Sequence, residues 1–197
     1  MVSVPALARG ILVLGDSISA AYGIEKSQGW VALLESEIHQ RCDDYPVINA
    51  SVSGETTAGG RSRLPALLDR HQPDIVVIEL GGNDGLRGLS PLAMANNLQQ
   101  MVQASRDADA NPVLLGMRIP PNYGQQYTRL FEQQFAKVSD ATGTPLFPFF
   151  LEGVVEKGWM QDDGIHPTVD AQPLLKRHAL SVLEPLMPGQ CSGGGNV

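Results

Sequence analysis

Positive charge is scarce in this chain of 197 residues, with 14 lysines and arginines against 21 aspartates and glutamates, a net charge of −7 and a pI near 5.0. Without a basic stripe to neutralise phosphates, nucleic-acid binding is excluded as the main task. Long apolar runs are missing as well, and none approaches the roughly 18 residues of a membrane span, so no stable membrane insertion is expected. Residues 1–10 lack the basic start and apolar core of a signal peptide, which leaves a cytoplasmic product or a replaced leader. Cysteine occurs only twice, and neither Cys42 nor Cys191 has a metal-ligand spacing. Cys42 should end a helix, whereas Cys191 lies in the Gly/Ser-rich stretch 189–195, so free thiols are expected at both. No metal, cofactor or internal repeat is indicated.

A hydrophobic fraction of 43% fits a soluble globular class, and the length suits one domain. We expect that domain over 11–187, with an extension at 1–10 and a disordered tail at 188–197. Short apolar runs at 11–14, 46–50, 75–80, 113–117 and 145–147 read as strands. Between them lie helical patterns at 30–38, 61–68, 92–108, 126–141 and 171–186. Pro65 is tolerable if it falls in the first turn of its helix. Strict alternation predicts a three-layer α/β/α sandwich with a five-stranded parallel sheet in the flavodoxin-like order 2-1-3-4-5.

The first strand stops abruptly at Gly15, Asp16 and Ser17. Ser17 should therefore lie just past a strand's carboxyl end, where open α/β sheets bind ligands. Residues 19–22 can begin a helix there, which would leave the Ser17 N–H among the unpaired donors of a helix start. Such a serine could be a nucleophile or simply a helix cap. Three further loops follow strands and should converge on the same edge, carrying Gly54, Asn83 and the pair Asp163 and His166. Acyl transfer needs this set: a nucleophile, a base, an orienter of the base and donors for the oxyanion. His166 suits the base, since a free imidazole titrates near about 6.5. Asp163, three residues earlier, can fix its tautomer, with Asp162 as competitor. Gly54 can offer a backbone N–H, and Asn83 a side-chain amide that donates at any pH. Each could instead be a turn or surface residue. Asp16 and Asp84 read as loop-holding groups. His39, His71 and His178, on helical stretches with no partner in view, read as solvated.

Residues 15–18, the glycine of 53–55, residues 81–84 and residues 163–167 resemble, in order, the four blocks of the GDSL/SGNH hydrolases. The resemblance covers about 11–186, and the wording of 79–88 and 160–167 looks like the multifunctional bacterial acyl-CoA thioesterase I, lysophospholipase and arylesterase subgroup. It implies a serine nucleophile at Ser17, a base at His166 partnered by Asp163, and an oxyanion hole from Ser17, Gly54 and Asn83. Ile18 replaces the signature leucine by a side chain of similar volume. Members of this subgroup are usually exported, so a periplasmic site is implied, with the cytoplasm as alternative.

Selectivity should come from loops 85–91 and 119–124, where Leu86, Leu89, Ile119 and Pro120 could contact an acyl chain. Glycines flanking Arg87 would let the first loop move. No insertion is long enough for a lid domain, which suits monoacyl esters, thioesters and aryl esters handled by a monomer. One rival is a carbohydrate O-acetylesterase. Another is a non-catalytic flavodoxin-like binding module, although Asp16 is an acid where a phosphate site would avoid one.

Overall fold

Strands with almost no polar residue can be buried only in a sheet covered on both faces. The computed structural model, which describes residues 10–189 and 191, puts two such strands at the centre. β1 (Ile11–Gly15), β2 (Val47–Asn49), β3 (Ile75–Glu79), β4 (Asn111–Leu115) and β5 (Leu146–Phe147) form one parallel sheet in the order β2-β1-β3-β4-β5. The side chains of Ile11, Leu12, Val13, Leu14, Ile75, Val76 and Val77 are fully buried, each contributing roughly 1.5–3 kcal/mol. β1 and β3 pair from Ile11 with Ile75 to Gly15 with Glu79, so their following loops leave the sheet at one level.

The helices are α1 (Trp30–Arg41), α2 (Thr57–His71), α3 (Gly82–Leu86), α4 (Pro91–Asp107), α5 (Gln125–Thr142) and α6 (Gln172–Leu183). α1 packs on α6, while α4 packs on both α2 and α5. Side-chain caps start two of them: Thr56 accepts from the Gly59 N–H for α2, and Ser90 from the Ala93 N–H for α4, which has Pro91 in its first turn.

Four expectations need correction. β4 starts two residues early, at Asn111, because a proline near the start of a strand need not donate to the ladder. α2 starts at Thr57, so Pro65 falls in the helix interior and removes one backbone bond there. Gly60 belongs to that early turn because a Cβ would lie 2.3 Å from Leu80 Cδ1. Cys42, which caps α1, and Cys191 are joined in a disulfide with their Cα atoms 5.1 Å apart, rather than being free thiols. α1 and α6 run side by side, and an Arg41–Glu184 ion pair of 3.0 Å marks where α1 and the segment after α6 meet. His178 is not solvated: its Nδ1 lies 2.9 Å from the Phe150 carbonyl and its ring stacks on Phe147 at 4.3 Å. His39 is exposed and His71 half-buried. Of the expected extension and tail, residues 1–9, 190 and 192–197 lie outside the described residues.

Candidate active site

Ser17 sits two residues beyond β1 and is 9% exposed. The segment after it is a turn and not the start of a helix. The Ala20 N–H donates to the Asp16 carbonyl at 2.9 Å and the Tyr22 N–H to that of Ser17 at 3.0 Å. Ala21 (φ 59°) and Gly23 (φ 76°) then leave the right-handed region and stop any propagation. Gly15 is needed at the entry, since a Cβ there would lie 2.6 Å from Ser19 Oγ and 2.8 Å from Glu79 Oε2.

His166 arrives from the far end of the sequence, on the loop before α6. Its Nε2 lies 2.8 Å from Ser17 Oγ and its Nδ1 lies 2.6 Å from Asp163 Oδ2. The other carboxylate oxygen, Oδ1, accepts the N–H groups of Ile165 at 2.9 Å and His166 at 3.0 Å. These bonds, led by the one to the imidazole, hold Asp163 at a pKa of about 2. It is therefore a pure acceptor that fixes the histidine proton on Nδ1 and turns the lone pair of Nε2 toward the serine. Tyr22 packs on the imidazole with ring centroids 4.4 Å apart. Gln161 braces this loop: its Nε2 donates to the carbonyls of Tyr22 at 2.9 Å and Pro167 at 3.1 Å, and its N–H to that of His166 at 2.7 Å. Asp162 is exposed, and the carboxylate at Nδ1 is that of Asp163.

Gly54 and Asn83 come to the same edge from the loops after β2 and β3. Gly54 has φ +80°, a conformation that costs glycine nothing. Neither its N–H nor that of Ser17 is given to an acceptor among the described residues. Asn83 lies in the one-turn helix α3, entered through Gly81 at φ +116°, and donates one Nδ2 hydrogen to Asp16 Oδ2 at 2.9 Å. The two loops are tied directly. Arg87 Nη2 donates to the Gly54 carbonyl at 2.9 Å. Buried Asp84 accepts both the N–H (2.8 Å) and the hydroxyl (2.6 Å) of Thr57, whose Oγ1 also takes 3.0 Å from Asn97 Nδ2.

The flanking loops hold the four expected contact residues in different settings. Leu89 is 44% exposed, Leu86 half-buried and Pro120 exposed. Ile119 is turned inward at 6% exposure, against Gly85, where a Cβ would lie 2.5 Å from Ile119 Cγ2 and 2.8 Å from Phe131 Cε2. Two tyrosines pin the first of these loops: Tyr123, from the second loop, donates to the Leu86 carbonyl at 2.9 Å, and Tyr127, from the start of α5, to that of Leu89 at 2.6 Å. The sequence reading passed over Glu79, which is completely buried beside Asp16. Its signal was visible as a lone acid ending an otherwise apolar strand. Among the described residues, no cluster of His, Cys, Asp and Glu is grouped as a metal site would be.

A five-stranded parallel sheet in this order, carrying a serine, a histidine and an aspartate in one hydrogen-bonded line at its carboxyl edge, defines the class. The chain belongs to the GDSL-like lipase/acylhydrolase family, which residues 13–172 match. Among individual proteins it is 51% identical to esterase TesA of Pseudomonas aeruginosa, over 92% of this chain and 91% of that one. It is 45% identical to thioesterase 1/protease 1/lysophospholipase L1 of Escherichia coli K12, over 92% and 86%. Of solved structures, TesA superposes with a TM-score of 0.87, covering 90% of this chain and 99% of the other. The psychrotrophic esterase EstA from Pseudoalteromonas sp., inhibited by monoethylphosphonate, gives 0.84 at 41% identity, covering 90% and 97%.

Proposed function

We propose that the chain is a serine hydrolase that cleaves carboxylic esters and thioesters, including aryl esters, acyl-CoA and lysophospholipids, through an acyl-enzyme on Ser17. The observation that carries this reading is the unbroken line from Asp163 through His166 to Ser17, with contacts of 2.6 and 2.8 Å. His166 Nε2 takes the Ser17 proton as Oγ adds to the ester carbonyl carbon. The new oxyanion is held by the N–H groups of Ser17 and Gly54 and by the second Nδ2 hydrogen of Asn83. Collapse breaks the bond to the leaving alcohol or thiol, which departs with the proton from His166. Water then adds to the acyl-enzyme by the same exchange, releasing the acid and restoring Ser17.

The names of the relatives support the substrate range, as does the open setting of the walls, with Leu89 44% and Tyr123 37% exposed. Leu86, Leu89 and Pro120 are the proposed contacts to the acyl chain. Ile119, packed inward, would shape that wall from behind. A periplasmic location is supported by the disulfide, because such bonds persist in oxidising compartments. The enzyme is taken to act as a monomer. A hydrolysis panel of acyl-CoAs, lysophospholipids, p-nitrophenyl esters and acetylated xylan, run beside Ser17→Ala, tests the reading. Turnover of thioesters and aryl esters that disappears in the variant is expected. A strong preference for the sugar ester would make the protein a carbohydrate O-acetylesterase instead.

A further inference from the structure

Asp16 adjoins the nucleophile, is 2% exposed, and takes no part in the proton relay. Both of its oxygens are engaged: Oδ1 accepts the Ile18 N–H at 3.0 Å, and Oδ2 accepts Asn83 Nδ2 at 2.9 Å. Behind it, fully buried Glu79 accepts the Ser19 hydroxyl on Oε2 at 2.6 Å, while its Oε1 has no partner among the described residues. Burial and the neighbouring Asp16 charge push the Glu79 carboxyl well above the usual carboxylate range.

We propose that Asp16 is the positioning residue of the oxyanion hole, its carboxylate dictating which end of the Asn83 amide faces the reacting carbonyl. The two ends of an asparagine amide are alike in shape and opposite in polarity. Turned over, Asn83 would set its carbonyl oxygen where Nδ2 now lies, with lone pairs against both Asp16 and the oxyanion. A carboxylate has no hydrogen to give, so only the orientation with Nδ2 toward Asp16 is hydrogen-bonded. The second Nδ2 hydrogen is then free for the oxyanion before substrate arrives. The inference rests on the reading of Asn83 as an oxyanion donor.

Two substitutions test it. In Asp16→Asn, the single remaining oxygen is claimed by the Ile18 N–H and an NH2 group faces Asn83, which favours the reversed amide. Asp16→Ser keeps a short acceptor for Ile18 but cannot reach Asn83. With a p-nitrophenyl ester, each should lose about 10²–10³ in kcat, the cost of one oxyanion donor. KM should stay within about threefold, because the interaction is made in the transition state. In an Asn83→Ala background the same substitutions should cost less than about twofold, since the group they act through is gone. Losses that multiply in the double variants, or an Asp16→Asn enzyme near full activity, would overturn the proposal. So would failure of both Asp16 variants to give a cooperative melting curve, which would make Asp16 a residue of the fold. Full activity in Asn83→Ala would sink the donor reading itself, and activity in Ser17→Ala the hydrolase reading, so the failures are told apart.

Discussion

Replacing Asp163 by asparagine changes one atom and should nearly abolish turnover. Oδ1 of Asp163 receives two backbone N–H bonds, at 2.9 and 3.0 Å, so the amide oxygen of the variant will settle there. Its NH2 group then occupies the place of Oδ2, 2.6 Å from His166 Nδ1. Two N–H groups cannot face each other at that distance, so the imidazole must put its proton on Nε2. That proton points at Ser17 Oγ, 2.8 Å away, and the base can no longer accept. The same exchange in serine proteases costs about 10⁴ in kcat, or about 5 kcal/mol in the barrier. The assay is steady-state hydrolysis of a p-nitrophenyl ester by Asp163→Asn and Asp162→Asn, each checked for an unchanged melting curve. Asp162 is exposed and away from Nδ1, so its variant should stay within about twofold of the parent, as surface changes usually do. Equal losses in the two variants, or a loss below tenfold at Asp163, would refute the tautomer argument.

Two further outcomes follow from buried and bridged groups. Burial lifts the Asp16 carboxyl from 3.8 to about 6, so the folded state binds a proton that the unfolded state has released in that window. Stability from this group is therefore greatest at low pH and falls as pH rises through the interval, by about 3 kcal/mol. Urea unfolding of the parent and Asp16→Asn at pH 4 and 7 should show the gap between them widening in the parent's favour at pH 4, and a constant gap would contradict it. The Cys42–Cys191 bridge closes 149 residues, so Cys42→Ala should lose about 2–5 kcal/mol in urea while keeping parental kcat. A reductant that leaves the parent's urea midpoint unmoved would argue against the bridge.

The convergence of the candidate site's loops was legible because strand alternation and loop position are written locally. Apolar runs ending at Gly15, Asn49 and Glu79 each lead into a loop of small and polar residues, and parallel strands bring those loops to one edge. What escaped depends on neighbours far along the chain. The Asp16–Asn83 bond spans 67 residues, and the disulfide spans 149. Such pairings depend on how individual side chains from distant segments meet, a fact no local window contains. Ile119 illustrates another limit: an apolar loop residue can face substrate or core, and here the absent side chain of Gly85 makes room for it inside. The helical pattern is legible only from residue 61, since glycine and threonine are weak helix formers, but close packing of Gly60 on β3's exit residue Leu80 overrides that preference and α2 begins at Thr57.

The most direct test of the whole account is the mass of the protein caught during turnover. Mixed with p-nitrophenyl acetate and quenched in acid within milliseconds, the protein should gain one acetyl group, and digestion should locate it on the peptide containing Ser17. Ser17→Ala should gain none. An acetyl group found elsewhere, or brisk hydrolysis by Ser17→Ala, would contradict a nucleophilic Ser17.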